Sequence, residues 1–276
     1  MEDIKKRWER NKQNSMFYWY PKIKDLDMPQ PKTEMYKFTK QEYKQVQEER
    51  IPKSLIKNCE SLVEKIGFPL FMRTDNSSCK HGWIKTCYVP DIDSLEYHFF
   101  ELLSTSGMQS FMSYNDTGLA FREFLELDYG YYKGKKLTAF YGEFPVNRER
   151  RYFIRDGKIQ CHHPYWYPSA IKNSNIEQPF LNMILEQLNS EDKSEIKELS
   201  KYALMVAEVF SGYWSVDFAK GLNDKWYLID MARGEDSFHW LECKYCSKEM
   251  REQYKDKAER DKIETKEFEE FKHKNE

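Results

Sequence analysis

Trp214-Ser215-Val216-Asp217-Phe218-Ala219, an Asn223-Asp224 pair and Lys225-Trp226-Tyr227-Leu228-Ile229-Asp230 read in succession as strand, turn and strand. Both arms are aromatic and β-branched, and Asn-Asp tolerates the positive φ that a two-residue hairpin turn demands. A turn centred on Asn223-Asp224 sets Ala219 opposite Leu228 and Asp217 opposite Asp230. Directly opposed residues on one face have Cβ atoms roughly 4.5–5.5 Å apart, so two carboxylates there repel unless a cation is shared or a pKa rises. A divalent metal site at Asp217 and Asp230 is the expectation that follows. A turn one residue longer or shorter would place the two on opposite faces and remove it.

The chain has 276 residues, 44 of them lysine or arginine and 46 aspartate or glutamate, for a net charge of −2. That is long enough for one large domain or two modest ones, and the charge carries no polyanion-binding signature, so any basic site is local. Aromatic residues make up 16%, which argues for a folded protein with packing or stacking surfaces. No segment approaches about 18 uncharged apolar residues and the N-terminus has no apolar signal core, so neither a membrane nor a secreted protein is expected. Six scattered cysteines suit a reducing, cytoplasmic setting.

Outward from the hairpin, residues 1–40 read as an extended arm broken by Pro21, Pro29 and Pro31. Phe38 to Ile66 is helical, with Thr39 as a cap, Pro52 as an interruption and Leu55, Ile56, Cys59, Leu62, Val63 and Ile66 as its apolar stripe, ending at Gly67. Strands are expected over Phe68 to Arg73, Leu119 to Leu127, Lys136 to Phe144 and Arg150 to Cys161. Helices are expected over Ser94 to Leu103, Pro179 to Leu188, Ile196 to Phe210, and in the charged tail from Cys243 onward.

Three more constellations bear chemistry. Arg73, Lys80 and Lys85 with the small polar residues Thr74 to Gly82 offer amides and cations to a polyphosphate, although the spacing is not that of a Walker A loop and the segment would equally serve as a solvated turn. Glu149 to His162 folds about Asp156-Gly157 into a hairpin. Strict alternation puts Arg151, Phe153, Arg155, Lys158, Gln160 and His162 on one basic face, and Tyr152, Ile154, Ile159 and Cys161 on the other. Arg122 and Glu123 interrupt an otherwise buried run, where a charge must be paired or face a cleft. Cys243 and Cys246 form a lone C-x-x-C; a structural zinc needs four ligands and no second pair is visible, so no metal is expected there. His162-His163 beside Pro164-Tyr165-Trp166 is expected to be an aromatic packing cluster.

In this order and spacing the pieces resemble the ATP-grasp superfamily. The matching elements are the cation-bearing strand and loop (Arg73, Lys80, Lys85), a hinge (Arg122-Glu123-Phe124-Leu125), the Glu149-x-Arg151-x-Phe153 strand and the acidic strands of Asp217 and Asp230. The branch with eukaryotic cell-division-cycle assembly chaperones of a translation initiation factor looks most similar, through Leu228-Ile229-Asp230 followed by Ser237-Phe238-His239-Trp240.

The resemblance implies an α+β fold in which two lobes with antiparallel sheets clamp a nucleotide. It divides the chain into an N-terminal arm and helical region at 1–60, a first lobe at 61–118, a second lobe at 119–242 and a charged helix at 243–276. ATP would lie with its adenine against Phe124 and Leu125, and Glu123 or Glu126 would receive the amino group or ribose. Lys80, then Arg73 and Lys85, would reach the phosphates, and Arg151 the γ-phosphate or an acyl-phosphate. Asp217 and Asp230 would hold Mg²⁺. Many members carry asparagine two residues after the second acidic ligand; Ala232 stands there, so Glu235, Asp236 or water would complete the shell, or the metal site is weak. Arg233 and His239 lie where an acceptor could bind, though a structural role is expected for His239.

The implied reaction is ATP- and Mg²⁺-dependent joining of a carboxylate to an amine, or less often a thiol, through an acyl-phosphate. The acceptor, a small molecule or a protein, is not encoded legibly. The alternative is an ATP-binding assembly chaperone with little ligation. An ATP-dependent RNA-modifying enzyme is a third reading, which the balanced charge disfavours.

Overall fold

The computed structural model describes residues 9, 12–48, 50–110, 116–139, 144–167, 171 and 176–255. Two antiparallel four-stranded sheets carry helices on their outer faces. The arm expected at the N-terminus is instead ordered secondary structure. Helix α1 (Met16–Ile23) takes the Ser15 side chain as its cap and buries Met16, Trp19 and Ile23, a spacing of three and four that makes one apolar face. Strand β1 (Thr33–Lys37) follows. Helix α2 (Lys40–Gln47) opens with a reciprocal Thr39/Glu42 capping box. Helix α3 (Lys53–Ile66) buries Leu55, Cys59 and Val63 and stops at Gly67, whose φ of 85° ends the helix.

The first sheet is completed by β2 (Leu70–Thr74), β3 (Tyr88–Val89), helix α4 (Leu95–Ser110) and β4 (Gly118–Glu123), in the order β1-β4-β2-β3. Its core gathers the α3 stripe with Leu70, Met72, Phe99, Leu119 and Phe121. Strand β4, expected to reach Leu127, ends at Glu123, the last residue with a partner on β2. The chain then leaves this sheet: Leu127 bridges to Gly221 and Asp128 N donates to Lys220 O at 2.8 Å, both in the second sheet. Residues 124–126 are therefore the crossing. Because β4 belongs with β1 and β2, a division at 118/119 cuts through the first sheet; we place β1 and β4 in the first lobe.

Between the sheets lie the short pairs β5 (Tyr131–Tyr132) with β6 (Lys135–Lys136) and β7 (Thr138–Ala139) with β8 (Phe144–Pro145). They stand where one strand is expected from Lys136 to Phe144; residues 140–143 of that span lie outside the described residues. The second sheet has the order β10-β9-β11-β12, from β9 (Glu149–Arg155), β10 (Lys158–Pro164), β11 (Tyr213–Lys220) and β12 (Trp226–Arg233). Helices α5 (Gln178–Asn189) and α6 (Lys193–Val209) precede β11. Tyr152, Ile154, Trp214, Val216 and Phe218 share one core with α6 and α1, so the opposite face of this sheet is left for the site. Residues 248–255 are helical, and 256–276 of the expected charged helix lie outside the described residues.

Two bulges reset the registers. The β11–β12 loop has three residues rather than two, with only Asp224 at positive φ (62°), and Ala219 pairs with Tyr227 instead of Leu228. An extra residue at Ile229 then restores the count, so Asp217 still faces Asp230. In the β9–β10 hairpin the Asp156-Gly157 turn forms with φ of 48° and 79°. A bulge at Gln160 turns Cys161 opposite Phe153, His163 opposite Arg151 and His162 opposite Tyr152. The face expected to hold His162 therefore holds Cys161 and His163.

Candidate functional site

A cleft of about 810 Å³ opens between the two sheets. One end is aromatic. Trp83 stacks on Phe124 at 5.8 Å and 27°, and meets Phe144 edge-on at 6.0 Å; Leu125 and Tyr129 line the same region. The other end is charged, with Arg73 and Arg122 from the first sheet, Lys80 from the loop after β2, and Glu149, Asp217 and Asp230 from the second sheet.

Cross-strand pairing explains the charged row. Arg151, Asp217 and Asp230 are successive opposite neighbours across β9, β11 and β12, and Glu149 lies two residues before Arg151 on the same face. The countercharge demanded by two facing aspartates comes from arginine. Arg151 donates to both Asp217 oxygens at 2.7 Å, and Arg73 donates to Asp230 at 2.8 Å across the cleft. Burial works against Asp230's charge, but Arg73, with Arg122 and Lys80 behind it, holds its carboxyl below the usual range. Burial likewise opposes the charge on Arg151, and Asp217 outweighs it, so its pKa is raised. Arg151 also donates to Phe238 O at 3.0 Å.

Glu149 differs from its neighbours. It is 3% exposed. Burial, with Asp217 and Asp230 adding repulsion, pushes its pKa up to about 8 against the pull of Lys80 and Arg151. Lys80 donates to Tyr165 Oη at 2.8 Å. Burial disfavours its charge, but Tyr165, Glu149 and Asp217 outweigh that and keep it protonated. Its position follows from a tight turn: Cys79 takes a φ of 47°, a 3-10 turn runs over Lys80–Gly82, and Thr86 Oγ1 donates to both Cys79 O and Gly82 O at 2.9 Å.

Most of the polar loop serves the fold. Asp75 is buried, accepting from Thr117 N at 2.7 Å, Gly118 N at 3.1 Å and Ser15 Oγ at 2.6 Å, and Thr74 and Ser77 bond to each other. Among the described residues of that loop, Ser78 and Lys80 face the cleft. Lys85 is exposed and outside the lining, because the turn after Gly82 continues helically and carries it away (Lys85 N to Gly82 O, 2.8 Å). Glu126 is also exposed and outside it, its carbonyl accepting from Leu222 N at 2.9 Å. The structure thus brings Arg73, Lys80, Glu123, Phe124, Leu125, Asp217 and Asp230 into one lining, with Arg151 chelating Asp217. Glu235 pairs with Arg233, and Asp236 accepts from Asn14 at 2.9 Å, so neither stands in for asparagine at Ala232.

A cleft with an aromatic end and a charged end between two such sheets agrees with the match to known families: the model of an ATP-grasp domain, clade family 3, covers residues 64–239. The chain belongs to that ATP-grasp family. C-terminally truncated Cdc123 from Schizosaccharomyces pombe is similar in fold, with a TM-score of 0.52 at 12% identity over 82% of this chain and 85% of that one. The ATP-grasp ligase PsnB, complexed with a minimal precursor, gives 0.43 at 11% identity over 82% and 54%. D-alanine–D-alanine ligase from Bacillus anthracis, complexed with ATP, gives 0.43 at 14% over 82% and 55%. The chain thus spans about half the length of these two ligases. No curated protein sequence matches it.

Within this ATP-grasp domain, sequence reasoning names Arg122 and Glu149 only as motif positions and passes over Trp83 and Phe144. Arg122 is 4% exposed, donates to Thr33 Oγ1 at 3.3 Å and to Ile229 O, and lines the cleft. Burial and adjacent Arg73 push its pKa down to about 10, with Asp230 pulling the other way. Its signal in the sequence is a charge in a core strand. Trp83 and Phe144 stand where no periodicity marks an inward residue. Among the described residues no helix is long and apolar enough to cross a membrane, and all six cysteines are free.

Proposed function

We propose that the cleft binds ATP with Mg²⁺ and that the protein joins a carboxylate to an amine by way of an acyl-phosphate. The observation that carries this is the polarity of the cleft: an aromatic end fit for a purine, and three cations facing three carboxylates at the other. Adenine enters between Trp83, Phe124 and Phe144, against the backbone of the crossing, with Glu123 at its edge. Lys80 and Arg73 meet the phosphates, and Arg151 exchanges Asp217 for the transferring phosphoryl group, whose oxygens its planar fork matches.

The donor set fits a hard divalent cation. Asp217 and Asp230 are paired across the strands, and Glu149 is a third carboxylate on the same face whose raised pKa records the lack of enough positive charge around it. Bound there, Mg²⁺ would neutralise phosphate charge. Glu149 takes the place that Ala232 leaves open. Arg151 and Lys80 then stabilise the negative charge that develops on the acyl-phosphate as the amine attacks.

One observation favours a second reading, an ATP-binding assembly factor with little turnover: Ala232 supplies no ligand and Asp217 is held by both oxygens. ADP release measured with ATP and Mg²⁺ alone, then with small carboxylates plus amines, peptides and RNA, separates the readings. Release that needs a carboxylate and an amine supports the ligase. Tight nucleotide binding without release under any condition supports the assembly factor, and no nucleotide binding sinks both.

A further inference from the structure

The Cys243-x-x-Cys246 pair gains in the fold the partners it lacks in the sequence. The bulge at Gln160 turns Cys161 onto the Phe153 side of the second sheet. The segment after β12 folds back across that side, tied by Ser237 Oγ to Ser215 Oγ at 2.6 Å, and sets the His239 ring 4.8 Å from Phe153. His239 Nε2 comes to 3.1 Å from Cys161 Sγ. One ligand atom each from Cys161, His239 and Cys243 all lie within 4.8 Å of one another, and all three residues are buried. Cys246 sits in the same small cluster, and its thiol hydrogen-bonds that of Cys161.

We propose that Cys161, His239, Cys243 and Cys246 form a tetrahedral zinc site that fastens the segment after β12 to the sheet. Zinc–sulfur bonds of about 2.3 Å and zinc–imidazole bonds of about 2.0–2.1 Å place tetrahedral ligand atoms about 3.5–3.8 Å apart, so the observed cluster closes by about an ångström or less. Three thiolates and an imidazole are soft donors that select zinc and reject magnesium. On binding, the three thiol protons pass to solvent and the sulfurs become thiolates. Cys59, Cys79 and Cys87 are also buried, yet among the described residues no other group of three metal-binding side chains forms. The cluster is separate from the cleft and linked to it by a hydrogen bond: Phe238, next to His239, accepts from Arg151 at 3.0 Å.

Mass-spectrometric metal analysis of the full chain, expressed with added zinc and purified without chelator, tests the site. One zinc per chain is expected, with Cys161→Ser and Cys243→Ser losing it and Cys59→Ser keeping it. If the serine variants fail to fold, the wild-type protein still decides: stripped and given cobalt, it should show the strong visible bands of tetrahedral thiolate coordination. Less than about a tenth of a zinc per chain together with no such bands overturns the proposal, as does zinc that survives in folded Cys243→Ser. A disulfide among Cys161, Cys243 and Cys246 in the isolated protein also overturns it.

Discussion

Arg151 clasps Asp217 through two parallel 2.7 Å hydrogen bonds, from Nε and from a terminal nitrogen. Directly across the next strand pair stands Asp230, held in turn by Arg73 from the opposite sheet. Two guanidinium groups therefore supply in this structure the countercharge that a shared cation would otherwise provide, and the Arg73 contact draws the sheets together over the cleft.

Removing one member of the Arg151–Asp217 pair leaves a buried charge without its partner. Arg151→Ala and Asp217→Ala are each expected to destabilise the protein by about 3–5 kcal/mol. The double variant should lose clearly less than the sum, because the second change removes the orphaned charge. Urea unfolding of the four proteins measures this, and additive losses would contradict the pairing.

Glu149 makes stability depend on pH in a stated direction. Its pKa rises from 4.5 to about 8 on folding, so the folded state binds the proton more tightly. The stability this contributes is complete below pH 4.5 and is lost as pH rises through 8. Glu149→Gln should flatten that loss, on the order of 2 kcal/mol, in denaturant titrations without Mg²⁺. An unchanged pH profile would show that Glu149 is not the group responsible.

Two lysines of one loop should behave differently. Lys80 lies in the cleft on Tyr165, and Lys85 is exposed outside it. Lys80→Met is expected to weaken ATP binding by about 10- to 100-fold, the loss of one charge-assisted contact. Lys85→Met should leave it unchanged. Calorimetric titration with a non-hydrolysable ATP analogue reads both, and equal effects would move the phosphates away from Lys80.

Trp83 tests the other end of the cleft. Loss of one stacking face costs about 1–3 kcal/mol per base. Trp83→Ala should weaken ATP, ADP and adenosine by the same factor, whereas Lys80→Met should spare adenosine. A Trp83 variant that loses ATP but keeps adenosine would reverse the assigned orientation of the nucleotide.

Much of the fold is legible in the chain because it is coded by near neighbours. Thr39 and Glu42 cap a helix three residues apart, the α3 stripe repeats every three or four residues, and Asp156-Gly157 makes its turn whatever lies around it. The candidate site is legible in part for the same reason, since alternation along β9 fixes Glu149 and Arg151 on one face. Lys85 and Glu126 fall outside the cleft because a turn and a crossing point, not a period, decide where they go.

The sequence alone determined the family, the two acidic strands and the face on which Asp217 and Asp230 meet. Only the tertiary structure decided how that meeting survives. The hairpin loop is one residue off the expected register, and the bulge at Ile229, whose carbonyl accepts from Arg122 of the other sheet, returns it. It also decided that arginines balance the aspartates, that Glu149 joins them, and that Cys161 and His239 reach Cys243 and Cys246. Bulges and buried pairs depend on residues far apart in the chain, and no local spacing encodes which distant side chain fills the space opposite.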